Sequence, residues 1–378
     1  MEHFIETFLR IVKENEDKSA VSDEFSTFTY GELLNYGLVI AANLKAKGAG
    51  PKSRIIVEIP RSKEYAGALL GCWFCGAVAI PLSDDYPEER LLYIKNDSKC
   101  ELTINSEFIK AMDMSMTTEP YIGELSDEGI VIYTSGSTGN PKGVIHDFYS
   151  IAAVIARNIS KEEADDTERN DIVGLVAPFT FIVGISNFLA AMSMAKHLYL
   201  IPDEIRRDPY KLAAYYDENN IESSFIPPRM VDFMLRHNSS LKLISVGSER
   251  IRDIFFDGHP VVVNGYGSTE TFGGILAFAI DKKYDNTPIG QPVGEEKAYV
   301  LDDNNQEVVT GELCISGYLA KGYLNREKET KRVFVKNPFK EIDGYDRMFR
   351  TGDIVTRLDD GNLVFVERKD WMIKINGQ

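Results

Sequence analysis

Tyr133-Thr134-Ser135-Gly136-Ser137-Thr138-Gly139-Asn140-Pro141-Lys142-Gly143 follows directly on an apolar, strand-forming run over 130–134. Four Ser and Thr hydroxyls, three glycines and one lysine fall within this stretch. Glycines let backbone N–H groups approach and encircle anionic oxygens, hydroxyls add donors, and an ammonium neutralises phosphate charge. The stretch therefore reads as a phosphate loop. A Walker A loop is excluded, because Pro141 stands where the second glycine is needed and Gly143 where the magnesium-binding Ser or Thr should be. The plain alternative is a Gly/Ser surface turn, which neither the preceding strand nor the enclosed lysine favours.

Outward from this loop, short β-like runs alternate with helical patterns. Thr29-Tyr30-Gly31-Glu32 has capping-box spacing and opens a helix that Gly48 stops. A strand over 54–59, a helix over 63–74, a strand over 78–81 and a helix over 87–95 precede the loop. Behind it, helices over 148–158, 185–194, 210–219 and 228–236 alternate with strands at 172–176, 198–201, 224–226, 243–246 and 261–264. Strands spaced by helices of this length predict parallel sheets with crossover helices, and ligands of such folds gather beyond the carboxyl ends of the strands. After about residue 287 the pattern changes to short strands with turns at Asn304-Asn305 and Asp359-Asp360-Gly361-Asn362. The predicted class is α/β, with two doubly wound sheets and a small β-barrel-like subdomain. The α/β part spans about 1–286 and the β-rich part about 287–366 of a core covering 1–366. Residues 367–378 read as a hinge leading into a further domain, because the chain stops after the strand-like Trp371-Met372-Ile373-Lys374-Ile375.

The chain carries 42 Lys+Arg against 58 Asp+Glu, a formal charge of −16. An acidic surface repels nucleic acid and anionic membranes, so neither is an expected partner. No apolar run reaches the roughly 18 residues needed to span a bilayer. Cys72, Cys75, Cys100 and Cys314 are too few for a disulfide framework in 378 residues, and a reducing cytoplasm fits. Cys72 and Cys75 have redox-motif spacing but lie in an apolar stretch, which favours buried helical thiols over a redox pair. The five histidines form no metal-ligand pair, and His146 reads as a structural residue rather than a base.

With the loop, a series of further motifs resembles the adenylate-forming superfamily of acyl-CoA synthetases, luciferases and nonribosomal peptide synthetase adenylation domains. In chain order these are Thr29-Tyr30-Gly31-Glu32-Leu33, Gly76-Ala77-Val78-Ala79-Ile80-Pro81-Leu82, the loop itself and Asn264-Gly265-Tyr266-Gly267-Ser268-Thr269-Glu270. Gly311-Glu312-Leu313-Cys314-Ile315-Ser316-Gly317 with Lys321-Gly322-Tyr323-Leu324 follows. Arg350-Thr351-Gly352-Asp353 and Arg368-Lys369-Asp370 with Lys374-Ile375-Asn376-Gly377 complete the series. The resemblance implies ATP- and magnesium-dependent formation of an acyl-adenylate, with passage of the acyl group to a carrier-protein phosphopantetheine or to CoA. Thr134, Ser135, Gly136, Ser137, Thr138, Gly139 and Lys142 would hold phosphate. Glu270 would hold Mg²⁺, Thr269 would bond the α-phosphate, and Thr269, Glu270 and Lys142 would carry the catalysis. Tyr266, with Gly265 and Gly267 around it, would offer its ring to adenine and Asn264 an amide to its edge. Gly247, Ser248 and Glu249 would line the adenine pocket, Asp353 would accept both ribose hydroxyls, and Arg368 would reach the ribose.

By the same resemblance the acid pocket would be lined by Phe181, Ile182, Val183, Ser186, Ile244, Val246, Gly265, Gly273 and Gly274. Family members that activate α-amino acids place an Asp at the start of this helix; here the matching residue is Ile182 or Thr180. A buried ammonium without a counter-charge costs several kcal/mol, so the expected substrate is an aryl or acyl acid lacking an α-amino group. The family continues into a small C-terminal domain with a catalytic lysine, so weakened activity is expected of a chain ending at Gln378. Glu367 stands where the family has Gly, which alters the expected hinge with its pivot at Asp370. The competing readings are an amino-acid-activating domain, a non-catalytic nucleotide-binding relative and a kinase-like NTPase.

Overall fold

A computed structural model describes residues 1–134, 140–164, 171–255, 257–258, 260–339 and 345–369. Phosphate-loop residues Ser135, Gly136, Ser137, Thr138 and Gly139 lie outside the described residues, as do Asp370 and everything after it. The chain divides into two compact units, the first drawn from Met1–Ile159, Asp171–Pro202 and Tyr323–Asn325, the second from the remainder.

The first unit is built on two sheets. In one, the strands run Lys142–Asp147, Glu128–Thr134, Val78–Pro81, Arg54–Val57, Leu102–Ile104. The last four are parallel neighbours, but Lys142–Asp147 returns antiparallel to Glu128–Thr134, with Thr134 opposite Lys142. This strand was not expected from the sequence. A parallel return needs a crossover of a dozen or more residues, and the loop between Thr134 and Lys142 is too short to supply one. The other sheet orders Ile172–Leu175, His197–Leu200, Ser19–Ser22 and Thr27–Thr29, parallel except for the closing hairpin.

Helix Tyr30–Ala46 opens with the predicted capping box: the Glu32 N–H donates to Thr29 Oγ1 at 3.1 Å and the Thr29 N–H to Glu32 Oε2 at 2.8 Å. Caps of this kind contribute about 1 kcal/mol to the helix. The helix crosses Lys63–Phe74 closely, which a side chain at Gly71 would forbid, since its Cβ would lie 2.4 Å from Ile40 Cγ2. Trp73, fully buried, donates its indole N–H to the Gly129 carbonyl at 2.8 Å. The same helix carries Cys72, and Cys75 caps it; both are fully buried, and burial pushes the Cys72 thiol well above its ordinary range.

In the second unit the strands run Ser223–Phe225, Leu243–Gly247, Val261–Ser268, Gly273–Ala279, Gln291–Pro292, the first three parallel and the rest antiparallel. The sequence ended the third of these at residue 264, whereas the strand continues through the glycines to Ser268. Glycine allows this hairpin because a Cβ on Gly267 would sit 1.8 Å from the Gly273 carbonyl oxygen. A separate 5-stranded antiparallel sheet forms the β-rich region. Its long strand Arg347–Arg357 pairs with Thr310–Ser316 on one edge; its other edge pairs first with Phe334–Lys336, then with Leu363–Arg368. That arrangement puts Asp353 directly opposite Arg368. Both predicted turns are present, with Asn305 and Gly361 at positive φ.

Candidate functional site

In the first unit Thr134 closes one strand and Lys142 opens its antiparallel partner, so the hairpin holds in register the two ends of the stretch predicted to bind phosphate. The Thr134 hydroxyl is buried and makes no hydrogen bond among the described residues. Lys142 Nζ lies 4.0 Å from the centroid of the Tyr323 ring. Beneath them, Tyr133 donates its hydroxyl to Asp97 Oδ2 at 2.8 Å, and Asn325 donates to the Asp97 carbonyl at 2.7 Å. Burial, then the hydrogen bond to Asp97, pushes the Tyr133 phenol above its ordinary range. His146 is fully buried in the same hairpin, opposite Ile130.

Of the residues expected from the sequence to line an acid pocket, those of this unit lie at the start of helix Ile182–Ser193. Phe181 caps it, Ile182 and Val183 form its first turn, and Ser186 returns its hydroxyl to the Val183 carbonyl at 3.1 Å. No acidic residue stands in that first turn, and Thr180 and Ile182 are both buried.

In the second unit, three residues far apart in sequence converge. The Tyr266 hydroxyl donates to Asp353 Oδ2, and Arg368 Nη1 donates to Asp353 Oδ1 at 2.9 Å. Asp353 is 4 % exposed. Burial, then the Asp353 carboxylate, hold the Tyr266 phenol well above its ordinary range. An ionised carboxylate has about four lone-pair sites, so these two donors leave acceptor capacity for hydroxyls of a ligand. Asn264 is buried and donates Nδ2 to the Pro288 carbonyl at 2.7 Å, which fixes the amide and leaves its second N–H and its Oδ1 for a ligand. Gly247 must be glycine, because a Cβ there would lie 2.3 Å from the Gly265 carbonyl oxygen. Ser248 beyond it has φ +71, a strained turn at the carboxyl end of the strand, and Glu249 continues it into solvent. Thr269 and Glu270 sit in the 3₁₀ turn Thr269–Thr271 immediately after strand Val261–Ser268, with the Glu270 carbonyl accepting the Ala320 N–H at 2.9 Å. Ile244 and Val246 are fully buried; Gly273 has φ +87; a Cβ on Gly274 would approach only the Tyr266 carbonyl, at 4.0 Å.

Sequence reasoning did not single out Glu312. Its buried carboxylate accepts from Arg350 Nε at 3.1 Å and Nη2 at 2.8 Å, and from the Gly352 N–H at 3.2 Å. Lys369 Nζ adds a contact at 3.5 Å and pairs with Asp303 at 2.7 Å. The Gly311-Glu312-Leu313 motif thus grips the Arg350-Thr351-Gly352-Asp353 motif at the residues flanking Asp353. The signal was present as two charged residues within apolar strand patterns, but their 38-residue separation hid the pairing.

Among the described residues, no three His, Cys, Asp or Glu side chains gather to hold a metal. A hard divalent ion fits the remaining option, one buried carboxylate supplemented by phosphate oxygens and water; Glu270, 9 % exposed, is such a carboxylate.

The mixed α/β core agrees with the adenylate-forming class that the sequence motifs resemble. The chain belongs to the AMP-binding enzyme family, whose model matches residues 8–324. It is 31% identical over 383 residues to bacitracin synthase 1 of Bacillus licheniformis, covering 96% of this chain and 7% of that protein. It is 30% identical over 397 residues to surfactin synthase subunit 2 of Bacillus subtilis (98% and 11%). The chain therefore spans about a tenth or less of the length of these relatives. In fold it is similar to the N-terminal subdomain of Klebsiella oxytoca NpsA solved with 3-hydroxyanthranilyl-AMSN: TM-score 0.85, 21% identity, 97% of this chain and 100% of that one. An artificially fused adenylation–PCP di-domain, NpsA-ThdA, superposes with TM-score 0.87 at 21% identity, over 100% of this chain and 81% of that one. No described helix is long and apolar enough to cross a membrane.

Proposed function

We propose that this protein activates a small carboxylic acid as its acyl-adenylate, consuming ATP and releasing pyrophosphate, and hands the acyl group to a carrier-protein phosphopantetheine or to CoA. The observation that carries the reading is the buried Asp353 carboxylate, oriented by Tyr266 and Arg368 and still able to accept two hydroxyls, as a ribose presents. In this reading Asp353 fixes the ribose, Arg368 orients Asp353, and the Tyr266 ring supports adenine. The Asn264 oxygen accepts from the adenine amino group, and the Gly247-Ser248-Glu249 turn borders it. Thr269 bonds the α-phosphate, and Glu270 holds Mg²⁺. The ion, when bound, neutralises triphosphate charge. Thr134, Ser135, Gly136, Ser137, Thr138, Gly139 and Lys142 bind the phosphates that leave. Catalysis is then chiefly alignment of a carboxylate oxygen with the α-phosphorus and neutralisation of charge. Residues 1–366 serve as the adenylating core and 367–378 as the hinge.

The acid lacks an α-amino group. The support is the uncharged first turn of helix Ile182–Ser193 together with the open space at Gly274. A second reading, activation of an amino acid, is favoured by roughly 30% identity to peptide synthetases over nearly the whole chain. Pyrophosphate exchange with a panel of aryl, acyl and amino acids separates them. Aryl or acyl acids are expected to drive exchange, and exchange with amino acids alone rejects the first reading.

A further inference from the structure

Lys142 and Tyr323 lie 181 residues apart in sequence, yet the lysine ammonium lies 4.0 Å from the centre of the tyrosine ring. The approach is built in. Tyr323 is buried, and its neighbour Leu324 donates its N–H to the Gly143 carbonyl at 2.8 Å, tying this segment to the lysine strand. Asn325 donates to the Asp97 carbonyl at 2.7 Å, and Asp97 in turn holds Tyr133 at 2.8 Å, one residue before the loop. Two strands flanking the loop and the Tyr323–Asn325 segment are thus joined into one frame. Gly143 is required in it, since a Cβ there would lie 2.8 Å from Val131 Cγ1 and 3.1 Å from the Tyr133 ring.

We infer that Tyr323 is a positioning residue for ATP binding: its ring face holds the Lys142 ammonium at the end of the phosphate loop before nucleotide arrives. A lysine side chain has much rotamer freedom to lose on meeting an anion, and a ring that pre-orders it removes part of that cost. An aromatic face also attracts a cation through its quadrupole without cancelling its charge, so this contact does not neutralise the ammonium toward a triphosphate. The hydroxyl has no part in this; the ring does. The inference rests on the adenylating reading for the identity of the anion, not for the contact itself.

The test compares wild type, Tyr323→Leu and Tyr323→Phe by two readouts. The first is KM for ATP, KM for the acid and kcat in pyrophosphate exchange. The second is the rate at which Lys142 reacts with an amine-directed acylating reagent, followed by peptide mass spectrometry with and without ATP. Tyr323→Leu is expected to raise KM for ATP about tenfold, equivalent to about 1.4 kcal/mol and within the span of cation–π contacts, with KM for the acid unchanged. It is also expected to change the Lys142 labelling rate in the absence of nucleotide. Tyr323→Phe is expected to restore both. An unchanged KM for ATP and labelling rate in Tyr323→Leu overturns the inference. So does a Phe variant as impaired as the Leu variant, and this comparison decides the matter even if Leu disturbs folding. Failure of ATP to protect Lys142 in the wild type, with labelling still altered by Tyr323→Leu, overturns the ATP reading and leaves the clamp established.

Discussion

Glu312 and Arg350 offer the most quantitative test of how the β-rich region holds Asp353. The Glu312 side chain is 7% exposed and that of Arg350 20%. Two Arg350 nitrogens reach the same carboxylate oxygen at 3.1 and 2.8 Å, while the other oxygen takes the Gly352 N–H. Removing Arg350 leaves Glu312 only the Gly352 N–H and the longer Lys369 contact, and removing Glu312 leaves Arg350 only its bond to Asn305, so each loss costs about 3 kcal/mol, the low end for a buried pair. Glu312→Leu and Arg350→Met should each destabilise by about that amount. Replacing both with apolar groups removes the stranded charge, so the double variant should cost only about 1–2 kcal/mol, mainly for the orphaned Gly352 N–H. The expected coupling is therefore several kcal/mol. Urea denaturation of the four proteins, with the slope checked for constancy, measures it. Additive losses, or single variants within about 0.5 kcal/mol of wild type, would refute the assignment of this pair as the brace of the Asp353 segment.

Asp353→Asn removes the charge that Arg368 and Tyr266 share, and should raise KM for ATP about 10- to 100-fold at the roughly 1.5–3 kcal/mol of a charged hydrogen bond; an unchanged KM removes Asp353 from ribose binding. Glu270→Gln should abolish magnesium-dependent exchange while nucleotide binding measured by calorimetry without the ion persists. His197, hydrogen-bonded to Ser22 at 2.7 Å, is pushed down to about 4 mainly by burial. The unfolded chain binds this proton first, so stability should fall as pH drops from about 6.5 toward 4, and His197→Gln should flatten that part of the profile. Cys72 should resist thiol reagents in the native protein at pH 8 and react on unfolding.

Local signals carried much of this fold. The helix at 63–74 was legible to the residue, because an apolar run between a polar Ser62 and a glycine can form little else. The Thr29–Glu32 cap was equally direct. Strand Val261–Ser268 was cut short in the sequence reading because glycine has poor strand propensity, while the fold needs glycine where two backbones nearly touch. Strand Lys142–Asp147 was missed because its identity depends on a hairpin partner, not on its own pattern. Pairings across long separations, Tyr266 with Asp353, Glu312 with Arg350 and Lys142 with Tyr323, leave no periodic trace. The motifs named several of these residues without saying that they meet.

The central claim is chemical, that the α-phosphorus of ATP is attacked by a carboxylate. Mass spectrometry of the products formed from ATP, Mg²⁺ and a mixed pool of aryl, acyl and amino acids tests it most directly. An acyl-AMP of an amine-free acid, accompanied by pyrophosphate, is the predicted result; ADP with phosphorylated product, or no acid-dependent AMP species, would contradict it.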